Sequence, residues 1–139
     1  MSSLPVEPRD MQTPVVFRRS FPPIDRDTLR RYATASGDLN PVHLDPSAAR
    51  AAGFEDVFAQ GMLVMAYMGM ALTDRFPVDR LRHFSTRFLA VTRLGDRLTC
   101  VGQGGTPFIE AGERRMEIRL ELVDQHGEVK LNGSAVVAL

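Results

Sequence analysis

Glu117, Arg119 and Glu121 alternate with Ile118, Leu120 and Leu122, the period of two that marks a strand with one wet face and one dry face. Breaks containing glycine divide the C-terminal part of the chain into four strand segments: Arg80 to Val91, Asp96 to Gly104, Glu113 to Asp124 and Glu128 to Leu139. Asp124-Gln125-His126-Gly127 is the clearest hairpin turn among them. An earlier strand is expected from Thr13 to Phe21, ended by Pro22-Pro23. Then the period changes. Leu29, Tyr32, Ala33 and Ser36 recur at helical spacing after an aspartate N-cap at Asp25 or Asp27, and Gly37 is placed to end that helix. Pro46 to Ala52 predicts a short helix opening on proline, followed by a loop through Phe58. From Gln60 to about Phe76 the chain is apolar on nearly every side, which predicts a helix surrounded by protein.

Strand, helix, loop, buried helix and then four strands make an α+β chain, with an antiparallel sheet of about five strands wrapped around a long central helix. That is the hotdog fold. Such a sheet has two open edges, and pairing edge to edge with a second hotdog subunit would cover one of them, so a homodimer or a heterodimer is expected. Residues 1–12, with two prolines and two serines, read as a flexible leader, and residues 13–139 as a single hotdog domain.

Composition removes several functional classes. Lysine plus arginine and aspartate plus glutamate both number 17, so no basic surplus points to nucleic acid or to an anionic membrane surface. The longest apolar run, Met62 to Leu72, has eleven residues, against the roughly 20 that a membrane-spanning helix needs. Cys100 is the only cysteine and has no internal disulfide partner, and MSSLPVEPRDMQ lacks the apolar core of a secretory signal, so a cytoplasmic location is expected.

The candidate chemistry sits in S-G-D-L-N-P-V-H, residues 36–43. Gly37, Asn40 and Pro41 are turn formers, and a turn has no need of both Asp38 and His43. Pro41 biases Asn40 away from helix, which predicts an extended run from Leu39 to Leu44; if that loop curls, the two side chains can face one water molecule. Gln60-Gly61-Met62 stands at the start of the apolar helix, where unpaired amides and the positive end of the helix dipole favour an anion or a polarised carbonyl. An acid, a base and a carbonyl-polarising amide together suit adding or removing water beside a thioester carbonyl. An imidazole that titrates near pH 6.5 can pass protons in either direction at neutral pH.

The stretch YATASGDLNPVHLDPSAA, Tyr32 to Ala49, resembles the (R)-specific enoyl-CoA hydratase motif of the MaoC-like dehydratase family: Tyr32, Gly37-Asp38, Asn40-Pro41, Val42, His43 and Ala49 carry the match. FAQGMLVM from Phe58 and RFLAVTRLGDRL from Arg87 are similar to two further segments of that family. The resemblance implies a hotdog hydro-lyase that interconverts trans-2-enoyl and (3R)-hydroxyacyl thioesters, borne on CoA or on acyl carrier protein (ACP), in fatty acid or polyketide metabolism. It implies that Asp38 and His43 bind and activate the water and that the Gly61 amide polarises the thioester carbonyl. Asn40 would brace the loop or reach the site, and Met62 would support the loop or touch substrate. No metal and no organic cofactor is implied.

Three positions depart from the family pattern. Gln60 stands where many members have histidine, Val91 where proline is common, and Ala35 where a larger aliphatic residue or glycine is usual. The rival readings are a non-catalytic acyl-thioester-binding or scaffolding subunit of a hotdog heterodimer and a hotdog thioesterase. Met62, Met65, Met68 and Met70 read as core filler or as a pliable acyl pocket, and Tyr67 as core or pocket wall. Arg82, Arg87, Arg93 and Arg97 read as phosphate contacts or as solvated strand residues, and Cys100 reads as inert core. His83 and His126 are expected at the surface, too far apart in sequence to suggest metal-ligand spacing.

Overall fold

The structure, a computed structural model, describes residues 14–139. The leader expected over residues 1–12, and Thr13 at the head of the first strand, lie outside the described residues. In chain order the elements are β1 (Val15–Ser20), α1 (Arg26–Ser36), α2 (Pro46–Ala51), α3 (Gly61–Arg75), β2 (Leu81–Phe88), β3 (Thr99–Gly104), β4 (Phe108–Glu110), β5 (Glu113–Val123) and β6 (Val129–Ala138). Short 3-10 turns occupy Pro41–His43 and Val78–Arg80.

The strands form one antiparallel sheet in the order β1-β3-β5-β6-β2, with β4 paired to the start of β5. The extra strand makes the count six where about five were expected. β4 is three residues long and turns back through Ala111 and Gly112, both at positive φ, which is too short a run to show any period in sequence. The predicted segments are otherwise recovered with trimmed ends: the first long strand stops at Phe88, and the second starts only at Thr99.

Local chemistry sets the helix limits. Asp25, not Asp27, caps α1: its Oδ1 accepts from the Thr28 amide at 2.8 Å and from the Thr28 hydroxyl at 2.7 Å. Those bonds from Thr28 hold the Asp25 carboxyl below its ordinary pKa. Gly37 ends the helix with φ +80°, a conformation that costs glycine little, and its amide donates to Ala33 O at 2.9 Å.

The core lies between the sheet and α3. Ile118, Leu120 and Leu122 face inward from β5, Leu131, Ala135 and Val137 from β6, and Cys100 from β3. Leu63, Val64, Met68, Ala71 and Leu72 meet them from α3. Burial of apolar side chains on this scale is the main force holding sheet and helix together. α3 departs from the expected burial all round: Met62 and Met70 are 57% and 45% exposed, and Ala66 between them is exposed too. Residues spaced by four lie on one helix face, so one side of α3 is bare. Of the four methionines, Met68 is core, Met65 is half-buried, and Met62 and Met70 are surface residues. Over its first three turns this side carries only methionine and alanine, and the polar residues Thr73 and Asp74 mark it only near the end of the helix.

β2 packs unusually close to β6. A Cβ on Gly133 would stand 2.4 Å from the carbonyl oxygen of Ser85, a backbone atom that cannot rotate away. Gly133→Ala is therefore expected to push β2 outward and to destabilise the protein by about 1–3 kcal/mol in chemical denaturation. A denaturation midpoint equal to that of the unsubstituted protein would show that the strand pair yields freely.

Candidate functional site

The Pro41–His43 turn corrects the expectation of an extended run from Leu39 to Leu44. Asn40 does have an extended backbone (φ −58°, ψ 122°), as a residue before proline should, but its side-chain Oδ1 then accepts from the Val42 amide at 3.2 Å and starts one 3-10 turn. Proline at the first position of that turn costs no hydrogen bond. Asn40 thus braces the loop. The turn carries His43 inward until the whole residue is 9% exposed.

Two contacts fix the imidazole. Nδ1 lies 2.7 Å from the carbonyl oxygen of Phe58, and a carbonyl only accepts, so Nδ1 carries the proton. The Phe58 ring stands edge-on to the imidazole with centroids 4.9 Å apart, backed by Phe54 at 4.4 Å from Phe58. Nε2 of the neutral ring is then a lone pair, and it faces Oδ2 of Asp38 at 3.9 Å. Asp38 is half-exposed and held from its own loop: its amide donates to Ser36 Oγ at 3.1 Å, and its Oδ1 accepts from the Asn40 amide at 3.2 Å. At 3.9 Å the two acceptors are too far apart for a direct hydrogen bond. They are close enough to take both hydrogens of a single water, which would leave the oxygen lone pairs free.

The same short segment leads into α3. Phe58 forms an antiparallel bridge with Arg93, the Ala59 amide donates to Thr92 O at 2.9 Å, and Gln60 and Gly61 follow. Gln60 is wholly buried, and its Nε2 donates to Leu29 O at 2.9 Å, which ties the start of α3 to α1. The Gln60 side chain does not cap α3, which leaves the first amides available to an outside acceptor at the positive end of a 15-residue helix. Phe88 of β2 roofs this corner: a Cβ on Gly61 would meet its ring at 3.3 Å. Met62 stands exposed beside it.

Other candidates separate cleanly. Arg82 is committed to a two-pronged ion pair with Glu113, at 2.9 and 2.8 Å. Together with Arg115, it holds the Glu113 carboxyl down at about 2. Arg82 is therefore no phosphate contact, whereas Arg87, Arg93 and Arg97 are exposed. His83 and His126 are exposed as expected. Cys100 is fully buried, and burial pushes its thiol up to about 12, so it is no nucleophile. A hollow of about 580 Å3 lies on the outer face of the sheet among Arg18, Gln103, Arg119, Glu121 and Asn132. It contains neither Asp38 nor His43. Sequence reasoning missed the Phe58 carbonyl, because a backbone acceptor has no sequence signature, and missed Phe88, because pairing across the fold places it.

The MaoC like domain model matches residues 7–121, most of the chain and all of the loop and helix start just described. The chain belongs to the MaoC-like family. A UPF0336 protein of Streptomyces avermitilis is 35% identical over 124 residues, 79% of this chain and 83% of that protein. A shorter match, 45% identical over 60 residues, joins 43% of this chain to 21% of 3-hydroxyacyl-thioester dehydratase X of Mycobacterium tuberculosis. Among solved structures, the (R)-hydratase from A. caviae involved in PHA biosynthesis superposes with a TM-score of 0.76 at 25% identity, covering 88% of this chain and 92% of that one. This MaoC-like chain therefore has the hotdog fold of hydratases and dehydratases.

The Phe58 contact makes a direct spectroscopic claim. Long-range 15N–1H spectra of the neutral His43 ring are expected to show a protonated Nδ1 and an unprotonated Nε2. The opposite tautomer would rule out donation from Nδ1 to Phe58.

Proposed function

We propose that this MaoC-like protein is a hydro-lyase that reversibly adds water across the C2–C3 bond of a trans-2-enoyl thioester to give a (3R)-hydroxyacyl thioester. The observation that carries this reading is the Asp38–His43 pair: two acceptors 3.9 Å apart, one of them an imidazole whose Nδ1 proton is held by Phe58. In the hydration direction the pair grips a water, and Nε2 of His43 takes one of its protons as the oxygen attacks C3. Asp38 balances the charge that develops on the ring. Electron density moves onto the thioester oxygen, where the Gly61 amide and the positive end of α3 stabilise the enolate, an interaction typically worth about 3 kcal/mol per donor. A proton is then returned from the pair to C2 on the same face, and dehydration runs these steps in reverse. Asn40 supports the loop through its Val42 bond, and Met62 and Phe88 line the approach to Gly61. The thioester is carried by CoA or by ACP, and exposed Arg87, Arg93 and Arg97 are available to its phosphates.

A partner hotdog subunit, identical or different, fits the same reading. The edge of β2 that is unpaired among the described residues, exposed Phe88 and Leu89, and the bare Met62–Ala66–Met70 side of α3 form an apolar border beside the site. Light scattering is expected to give twice the chain mass for the purified protein, or for a one-to-one complex after co-expression with a second hotdog subunit. A monomer under both conditions would refute the partner.

Hydration of crotonyl-CoA and of longer or carrier-bound enoyl thioesters, followed by loss of enoyl absorbance and by product chirality, tests the reaction. Asp38→Asn and His43→Ala are each expected to lower kcat by about 100- to 10,000-fold while leaving the circular dichroism spectrum unchanged. Near-normal turnover by both folded variants would overturn the residue assignment. Stabilisation by acyl-CoA with no turnover would instead indicate a non-catalytic binding subunit, and release of free thiol a thioesterase.

A further inference from the structure

Lys130 lies on the outward row of β6, with Asn132 and Ser134, where alternation calls for a solvated side chain. It is nevertheless 1% exposed. Its Nζ donates to Glu128 Oε1 and, at 2.9 Å, to the carbonyl oxygen of Val91, and lies 3.5 Å from Asp96 Oδ2 and 3.4 Å from Asp124 Oδ2. Its own carbonyl accepts from the amides of Leu89 and Ala90, at 2.9 and 3.3 Å. One residue therefore fastens the crossing segment between β2 and β3 through both backbone and side chain.

The carboxylates around it are built in as well. Asp96 Oδ2 accepts from the Arg93 amide at 2.8 Å, and Asp96 Oδ1 accepts from Gln125 Nε2 at 3.3 Å. Asp124 Oδ1 accepts from the amides of His126 and Glu128, at 2.8 and 2.9 Å. Burial disfavours the Lys130 ammonium, but the bond to Glu128 and the charges of Asp96, Glu128 and Asp124 outweigh it, and its pKa stays above the ordinary lysine value. Burial likewise opposes ionised Asp124, and its backbone donors and Lys130 outweigh that, so its carboxyl lies below the usual range. Both directions favour the charged forms of Lys130 and Asp124.

The fastened segment is the one on which the site rests. Val91 and Asp96 bracket Thr92 and Arg93; Thr92 O receives the Ala59 amide, and Arg93 bridges Phe58. Phe58 O holds Nδ1 of His43. We propose that Lys130, with Asp96, is a positioning residue for the hydration reaction, setting the Phe58 carbonyl that fixes the tautomer and aim of His43 and the Ala59–Gly61 corner that stabilises the enolate. This rests on the hydro-lyase reading for its kinetic effect, though not for its effect on His43.

Two variants and a control test it. Lys130→Met removes the ammonium and leaves three carboxylates facing one another, which threatens the fold, so the near-isosteric Asp96→Asn is the second variant. Arg82→Ala, which breaks an ion pair at the other end of β2, controls for lost stability. In folded Lys130→Met or Asp96→Asn, kcat is expected to fall about 10- to 100-fold with KM changed less than about twofold, as for a small misplacement of reacting groups. The 15N signals of His43, assigned against a His43→Ala spectrum, are expected to move toward a mixture of tautomers, and Arg82→Ala is expected to change neither quantity. Unshifted His43 signals in folded Asp96→Asn would overturn the proposal whether or not the protein hydrates enoyl thioesters, as would a kcat loss that merely tracks the unfolded fraction. Absence of hydration by the unsubstituted protein would refute the reaction and leave the spectroscopic test standing.

Discussion

The apolar face of the curled sheet must be covered, and α3 is the element that covers it. Once Leu63, Val64, Met68, Ala71 and Leu72 are seated against β1, β3 and β5, the start of α3 is fixed at one end of the sheet. The segment that feeds it, Phe58 to Gln60, runs along the crossing segment at Thr92 and Arg93. That course places a backbone carbonyl at Phe58 where the His43 loop can reach it. Hydrophobic burial carries no direction of its own, yet here it sets where directional hydrogen bonds can form.

The site divides its work between side chains and backbone. In the proposed reaction the side chains of Asp38 and His43 exchange the protons, whereas the bonds that aim them come from Phe58 O, the Asn40 amide and the Asn40 side chain acting on Val42. Such short-range bonds make the loop rigid without large buried area. Gln60 applies the same logic at the helix start, where its bond to Leu29 O joins α3 to α1.

Strand alternation in β5, the caps of α1 and the proline opening of α2 were legible because each depends on neighbours within a few residues. The proximity of Asp38 to His43 was legible for the same reason, since both stand on one loop, but the sequence suggests an extended run where the structure has a turn. Pro41 constrains the residue before it, and the decision to turn afterwards came from Asn40 capping Val42. β4 escaped notice because three residues cannot display a period. The sequence suggests an α3 buried on every side because methionine and alanine serve equally in a core and on an exposed face. Lys130 shows the opposite failure: alternation assigns it to solvent, and only the crossing segment laid over β6 buries it.

By itself, then, the amino-acid sequence determined the kinds and order of the long elements, and it placed Asp38 and His43 on one loop and Gly61 at a helix start. These are consequences of periodicity and local bonding, which neighbouring residues decide among themselves. Tertiary structure alone decided which carbonyl holds His43, which face of α3 stays bare and which charged residue is buried. Each of these depends on segments distant in sequence, joined only when the sheet closes around its helix.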